Sequence, residues 1–103
     1  MPIDIKQYQS PRPGKFEGEP PETAYFYDHW ANGNGENHYP TATEEDPGIV
    51  YTIFEVDAEE SEAFGLSVGA YVVLWEDSQG FVMTHVINGS HAAAIAWINK
   101  HAG

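Results

Sequence analysis

Residues 49–56 read IVYTIFEV, and this short run constrains how the rest of the chain is arranged. Neighbouring side chains of an extended strand point to opposite faces. Here both alternating sets, Ile49/Tyr51/Ile53 and Val50/Phe54/Val56, are apolar. A strand of this kind is expected to be covered on both faces and to lie centrally in its sheet. Carboxylates bracket it: EEDPG precedes and DAEE follows, with no Lys or Arg in reach. In DAEE, Asp57 is placed as an N-cap with Glu60 three residues on, a capping-box pattern that starts a short helix ending near Gly65.

Working outward, 71–75 and 81–87 are apolar-rich runs flanking EDSQG, a five-residue connection containing glycine, which predicts a β-hairpin. Asn88 and Gly89 turn the chain, and Ser90 caps a last helix, HAAAIAWINKHAG. His91, Ala94, Ile95, Ile98, His101 and Ala102 share a face of that helix, and Lys100 sits in its final turn, where cations are favoured. Upstream, PPETAYFYDHWANG carries Pro21 for a first helical turn, Glu22 for the positive end of the dipole and Gly33 as a stop. Thr23, Phe26, Tyr27 and Trp30 then fall on one face. A strand over 24–28 is the rival reading, because Tyr and Phe favour sheets; the helix is preferred. Between them, NGNGENHYPTATEEDPG (32–48) is polar and rich in turn formers, and predicts a long loop. Residues 1–21 hold five of the seven prolines, so 1–20 is expected to be an extended N-terminal arm, with Ile3, Ile5 and Tyr8 as anchors. Residues 21–103 are then a single domain.

The expected fold class is α+β: a small antiparallel sheet of three to four strands with two main helices packed on it, both on one side. Parallel pairing of the first and second strands is the alternative, for which the connecting helix is short.

The segment from the short helix onward, AFGLSVGAYVVLWEDSQGFVMTHV, resembles the swapped-hairpin module of AbrB-type transition regulators and antitoxins, in which a Gly-Leu-x-x-Gly-Asp step precedes two strands. Ala70 stands where that Asp would be, and the basic DNA-reading residues are missing. Neither DNA binding nor any site residue is carried over from the likeness.

With 103 residues, 42% hydrophobic and 14% aromatic, the chain can build one modest core. The absence of cysteine excludes disulfides, thiol catalysis and cysteine-based zinc sites. MPIDIKQYQS lacks the pattern of a signal peptide, and no run approaches the roughly 18 apolar residues of a membrane span. A cytoplasmic protein is the expectation.

Charge is the unusual property. Sixteen acidic residues against four basic ones give a formal net charge of -12. The basic residues are Lys6, Arg12, Lys15 and Lys100, so 16–99 contains no Lys or Arg, while fifteen of the sixteen acids lie there. Such a surface cannot neutralise phosphates, which disfavours nucleic acid and anionic membrane as direct partners. It attracts basic partners instead, in a salt-dependent way.

Motifs for chemistry are sparse. Asp28, His29 and His38 could meet if the NGNGEN segment folds back, with Glu36 adding an oxygen, and imidazole with carboxylate suits zinc. Yet HExxH is absent, and an EF-hand alignment from Asp28 puts Trp30 and Tyr39 at ligand positions. His85 and His91 are placed as a sheet histidine and a helix-end histidine. Ser90 beside His91 lacks the GxSxG elbow and is better explained as a cap. Gly33-Asn34-Gly35 lacks the third glycine of GxGxxG, where His38 stands, and there is no P-loop lysine. Carboxylate pairs such as Glu55 with Asp57 arise trivially in so acidic a chain. No catalytic residue, metal or cofactor is therefore assigned; a metal-dependent enzyme using Asp28, His29 and His38 is the minor alternative.

Three readings of the charge compete. It is a solvating surface; or an adaptation to high salt; or a set of carboxylates that stands in for phosphates and engages a basic groove. In size and charge the chain is similar to small phage or plasmid proteins that inhibit restriction or CRISPR machinery. The preferred expectation is a non-catalytic acidic module binding, and inhibiting, a basic nucleic-acid-handling protein, with homodimerisation left open. Its partner-binding residues are expected to be Glu44, Glu45 and Asp46 in the long loop, Glu55, Asp57, Glu59, Glu60 and Glu62 around the short helix, and Glu76 with Asp77 at the hairpin. Exposed aromatics beside such carboxylates would serve as anchors.

Overall fold

The computed structural model describes Tyr8, Ser10 and residues 20–103. The expected arm therefore lies outside the described residues, apart from Tyr8, Ser10 and Pro20. The elements run α1 (Pro21–Ala31), β1 (Glu36–His38), β2 (Tyr51–Glu55), α2 (Ala58–Phe64), β3 (Tyr71–Glu76), β4 (Val82–Ile87) and α3 (His91–Ala102). The strands form one sheet in the order β1-β2-β3-β4, with every neighbouring pair antiparallel. The α+β class with a small antiparallel sheet and two main helices is what the chain adopts, and the β3–β4 hairpin closes on β2 of the same chain.

Local signals account for most of these boundaries. Pro stands at the start of α1, and Asn32 ends that helix. In α2 the capping box is complete: Glu60 N donates to Asp57 Oδ1 at 2.8 Å and Asp57 N donates to Glu60 Oε1 at 3.1 Å. Gly65 closes α2 in the left-handed region at φ 71°. Ser90 Oγ accepts from Ala93 N at 3.1 Å, starting α3. Asp77 Oδ1 accepts from Gln79 N and Phe81 N, each at 2.9 Å, and so folds the hairpin connection.

The two-sided apolar pattern of 49–56 decides the layering. Phe54, Val56, Val72 and Leu74 pack with Ala24, Phe26 and Tyr27 of α1. Tyr51, Ile53, Val73 and Trp75 pack on the opposite face with Ala94 and Ile98 of α3. The helices therefore cover opposite faces, correcting the one-sided arrangement. One helix layer would have left half of the β2 and β3 side chains in water, against the hydrophobic drive. Helix α1 is buried more completely than an amphipathic stripe requires, from Thr23 through Asp28. The reason is a second set of neighbours: Tyr8 and Phe64 pack on Tyr25, with ring centroids 5.3 Å away in each case.

The other correction concerns 32–48. Within the expected loop, Glu36–His38 pairs with β2 in the register Glu36↔Ile53, Asn37↔Thr52, His38↔Tyr51. A three-residue polar strand has no periodic signal; it is held by its neighbour's backbone and by Thr52 Oγ1, which donates to Asn37 Oδ1 at 2.8 Å. Gly35 permits the approach, since a Cβ there would lie 2.5 Å from Thr52 Cγ2 and 2.8 Å from Phe54 Cε1. No helix among the described residues is long and apolar enough to cross a membrane.

Candidate functional site

The expected partner-binding carboxylates fall into two groups at opposite ends of the sheet. Glu44, Glu45, Asp46, Glu76 and Asp77 sit where β2 begins and β3 finishes, since Tyr51 pairs with Trp75. Glu55, Asp57, Glu59, Glu60 and Glu62 sit at the other end, where Glu55 pairs with Tyr71 and α2 follows. The length of β2, about 13 Å at strand rise, separates them. Chain reversal at each strand end, invisible in a linear list of acids, produces the division.

Asp46, Glu76 and Asp77 of the first group line an open cleft of about 540 Å³ together with Trp30, Ile49 and Val50 among others. Glu44, Glu45 and Asp46 are exposed, and Tyr39, at the same end, is 49% exposed. Several of these acids also shape the backbone. Asp46 Oδ1 accepts from Gly48 N at 2.9 Å, Asp46 N donates to Thr43 Oγ1 at 3.0 Å, and Tyr27 Oη donates to Glu76 Oε2 at 3.3 Å. In the second group Asp57 and Glu60 are occupied by the α2 cap, and Glu60 is buried. Burial first, and the Glu60 carboxylate next, hold the Tyr25 hydroxyl well above the usual tyrosine range. Glu55, Glu59 and Glu62 remain on the surface of that end.

A separate constellation joins Glu36 and His38 of β1 with His91 at the start of α3. Positions 36 and 38 are two apart on a strand and so share a face. Through the register with Ile53 and Tyr51, that face is the one α3 covers. His38 Nε2 lies 2.9 Å from Glu36 Oε2, and His91 Nε2 contacts the same oxygen. His38 Nε2 is buried yet has no aligned hydrogen-bond partner. Side-chain exposures are 51% for Glu36, 29% for His38 and 43% for His91, so the group lies at the surface with one atom sunk beneath it. The polar contacts from His38 and then His91 hold the Glu36 carboxyl below the usual carboxylate range.

The sequence-derived trio of Asp28, His29 and His38 is not assembled. Asp28 is buried on α1 and accepts from Tyr8 Oη, while His29 Nδ1 lies 2.8 Å from Tyr25 O, both on the opposite side of the sheet. The NGNGEN segment does fold back, and Glu36 does meet His38; the third member is His91, 53 residues further on. His85 and His101 sandwich Trp97, with ring centroids at 4.4 and 4.7 Å and interplanar angles of 9° and 13°. His101 also meets Tyr51, its Nδ1 lying 3.0 Å from Tyr51 Oη. Four of the five histidines thus gather on the α3 face. Burial raises the Tyr51 hydroxyl above its ordinary range.

Comparison with protein-family models, with curated proteins and with solved structures finds no match to this chain.

Proposed function

We propose that the protein is a non-catalytic acidic binding module that presents carboxylates in place of phosphates to a basic nucleic-acid-handling protein and inhibits it, in the manner of phage or plasmid anti-defence proteins. The observation that supports this reading best is the meeting of Asp46, Glu76 and Asp77 in a cleft that Trp30, Ile49 and Val50 also line, with the exposed Glu44 and Glu45 next to Asp46 on the same loop. Negative charge alone gives long-range attraction that salt screens. An aromatic and apolar floor beside it adds the desolvated contact that specific interfaces need. The formal charge of -12 favours fast encounter with a cationic surface and opposes association with nucleic acid itself.

The test is capture from host lysate on immobilised protein at low and raised ionic strength, followed by challenge with duplex DNA. Glu44→Lys with Glu45→Lys reverses two exposed charges away from the caps. The double variant is expected to retain its melting temperature and lose capture several-fold at low salt, and duplex DNA is expected to displace the captured protein. Capture that is indifferent to the double variant, or a captured protein that duplex DNA does not displace, refutes the reading.

A further inference from the structure

We infer that Glu36, His38 and His91 form a binding site for a zinc-class divalent cation, joining edge strand β1 to the first turn of α3. One ligand atom from each residue lies within 4.8 Å of the others. A tetrahedral ion with metal–ligand bonds near 2.0–2.1 Å sets its ligands roughly 3.3 Å apart, so small side-chain rotations suffice to close the triangle. Two imidazole nitrogens and one carboxylate oxygen suit zinc and its neighbours, whereas magnesium and calcium require oxygen ligands. The set supplies three protein ligands and leaves a further position facing solvent, as in open zinc sites.

Two features argue for a cation rather than a plain ion pair. Both Nε2 atoms converge on the same carboxylate oxygen, and the buried one, on His38, has no aligned partner there. A buried ring nitrogen normally finds a hydrogen bond, and a shared ion would satisfy both rings at once. The sequence of β1 points the same way. Glu-Asn-His has little tendency to form a strand, yet its alternation delivers Glu36 and His38 to the face where α3 starts. The positive end of α3 opposes a cation at His91, but its partial charge is offset by the Glu36 carboxylate and by the acidic surface. This site lies on the α3 face at β1, apart from the cleft beside Trp30.

Zinc is titrated into untagged protein previously treated with chelator, with calorimetry and thermal melting as readouts. One ion per chain and a raised melting temperature are expected, both reversed by chelator. His38→Ala and His91→Ala are each expected to abolish the thermal shift, and Glu36→Gln to weaken binding at least tenfold. His29→Ala and His85→Ala are expected to bind as the parent does. Cobalt as a probe should give the visible absorption of a low-coordinate site in the parent and not in His91→Ala, while magnesium and calcium leave the melting temperature unchanged. His91 and Glu36 are outside the core, so circular dichroism should show their variants folded. Failure of the parent protein to bind zinc at millimolar concentration overturns the assignment, as does equal binding by the His38 and His91 variants.

Discussion

Placing α1 and α3 on opposite faces of the sheet makes a quantitative prediction about how damage to each layer combines. Phe26 is 0% exposed among the α1-side residues, and Ile98 is 1% exposed among the α3-side residues. Ile98→Val deletes one methylene from a filled site, a change costing about 0.5–1.5 kcal/mol. Phe26→Leu removes part of a buried ring, and from the area and cavity terms costs about 1–2 kcal/mol. The two side chains belong to separate clusters, with the sheet between them. Their effects should therefore add, giving about 1.5–3.5 kcal/mol for the double variant with a coupling term below about 0.5 kcal/mol. A domain of this size, with stability of about 5–15 kcal/mol, remains folded under that load, so all four proteins can be measured. Urea unfolding followed by tryptophan fluorescence and by circular dichroism gives the four free energies; unchanged slopes confirm a common unfolding reaction. Melting temperatures should fall by about 4–8 °C per kcal/mol. A coupling energy of about 1 kcal/mol or more would mean that the two residues share one layer, and the two-sided architecture would be refuted.

Other perturbations probe the local devices. Asp57→Ala removes one half of the α2 capping box and should cost about 1 kcal/mol in urea unfolding, with Asp57→Ser restoring most of it. Gly35→Ala should cost more than about 1 kcal/mol, because φ is +88° there and the new Cβ meets Thr52 and Phe54; protection of the β1 amides from hydrogen exchange should fall with it. Alkaline stability follows from Tyr25 and Tyr51, whose hydroxyls are raised in the folded chain. Above the unfolded value, about 10, the unfolded chain loses these protons first, so stability is complete below that pH and declines as pH rises beyond it. Tyr25→Phe should make that decline shallower in unfolding measured at stepped pH, and an unchanged slope would count against the burial of the Tyr25 hydroxyl as its source.

What the sequence determined by itself was local. The apolar alternation of 49–56, the DAEE box, Ser90 before α3 and the EDSQG connection each act within a few residues, and each is realised in the fold. Even the two-sided layering was implicit in residues 49–56, whose apolar sets face both ways. Tertiary structure decided what depends on distant partners. β1 is a strand because β2, some fifteen residues on, offers it hydrogen bonds and Gly35 lets it approach, not because Glu-Asn-His prefers to be extended. The ten partner-binding acids expected from the sequence part into two groups because antiparallel strands return the chain to alternate ends. His91 meets Glu36 across 55 residues through the packing of α3, which no local pattern of either residue encodes. Capping and alternation are short-range physics and can be read along the chain; which side chains share a surface is fixed only when the sheet and its two helices close on one another.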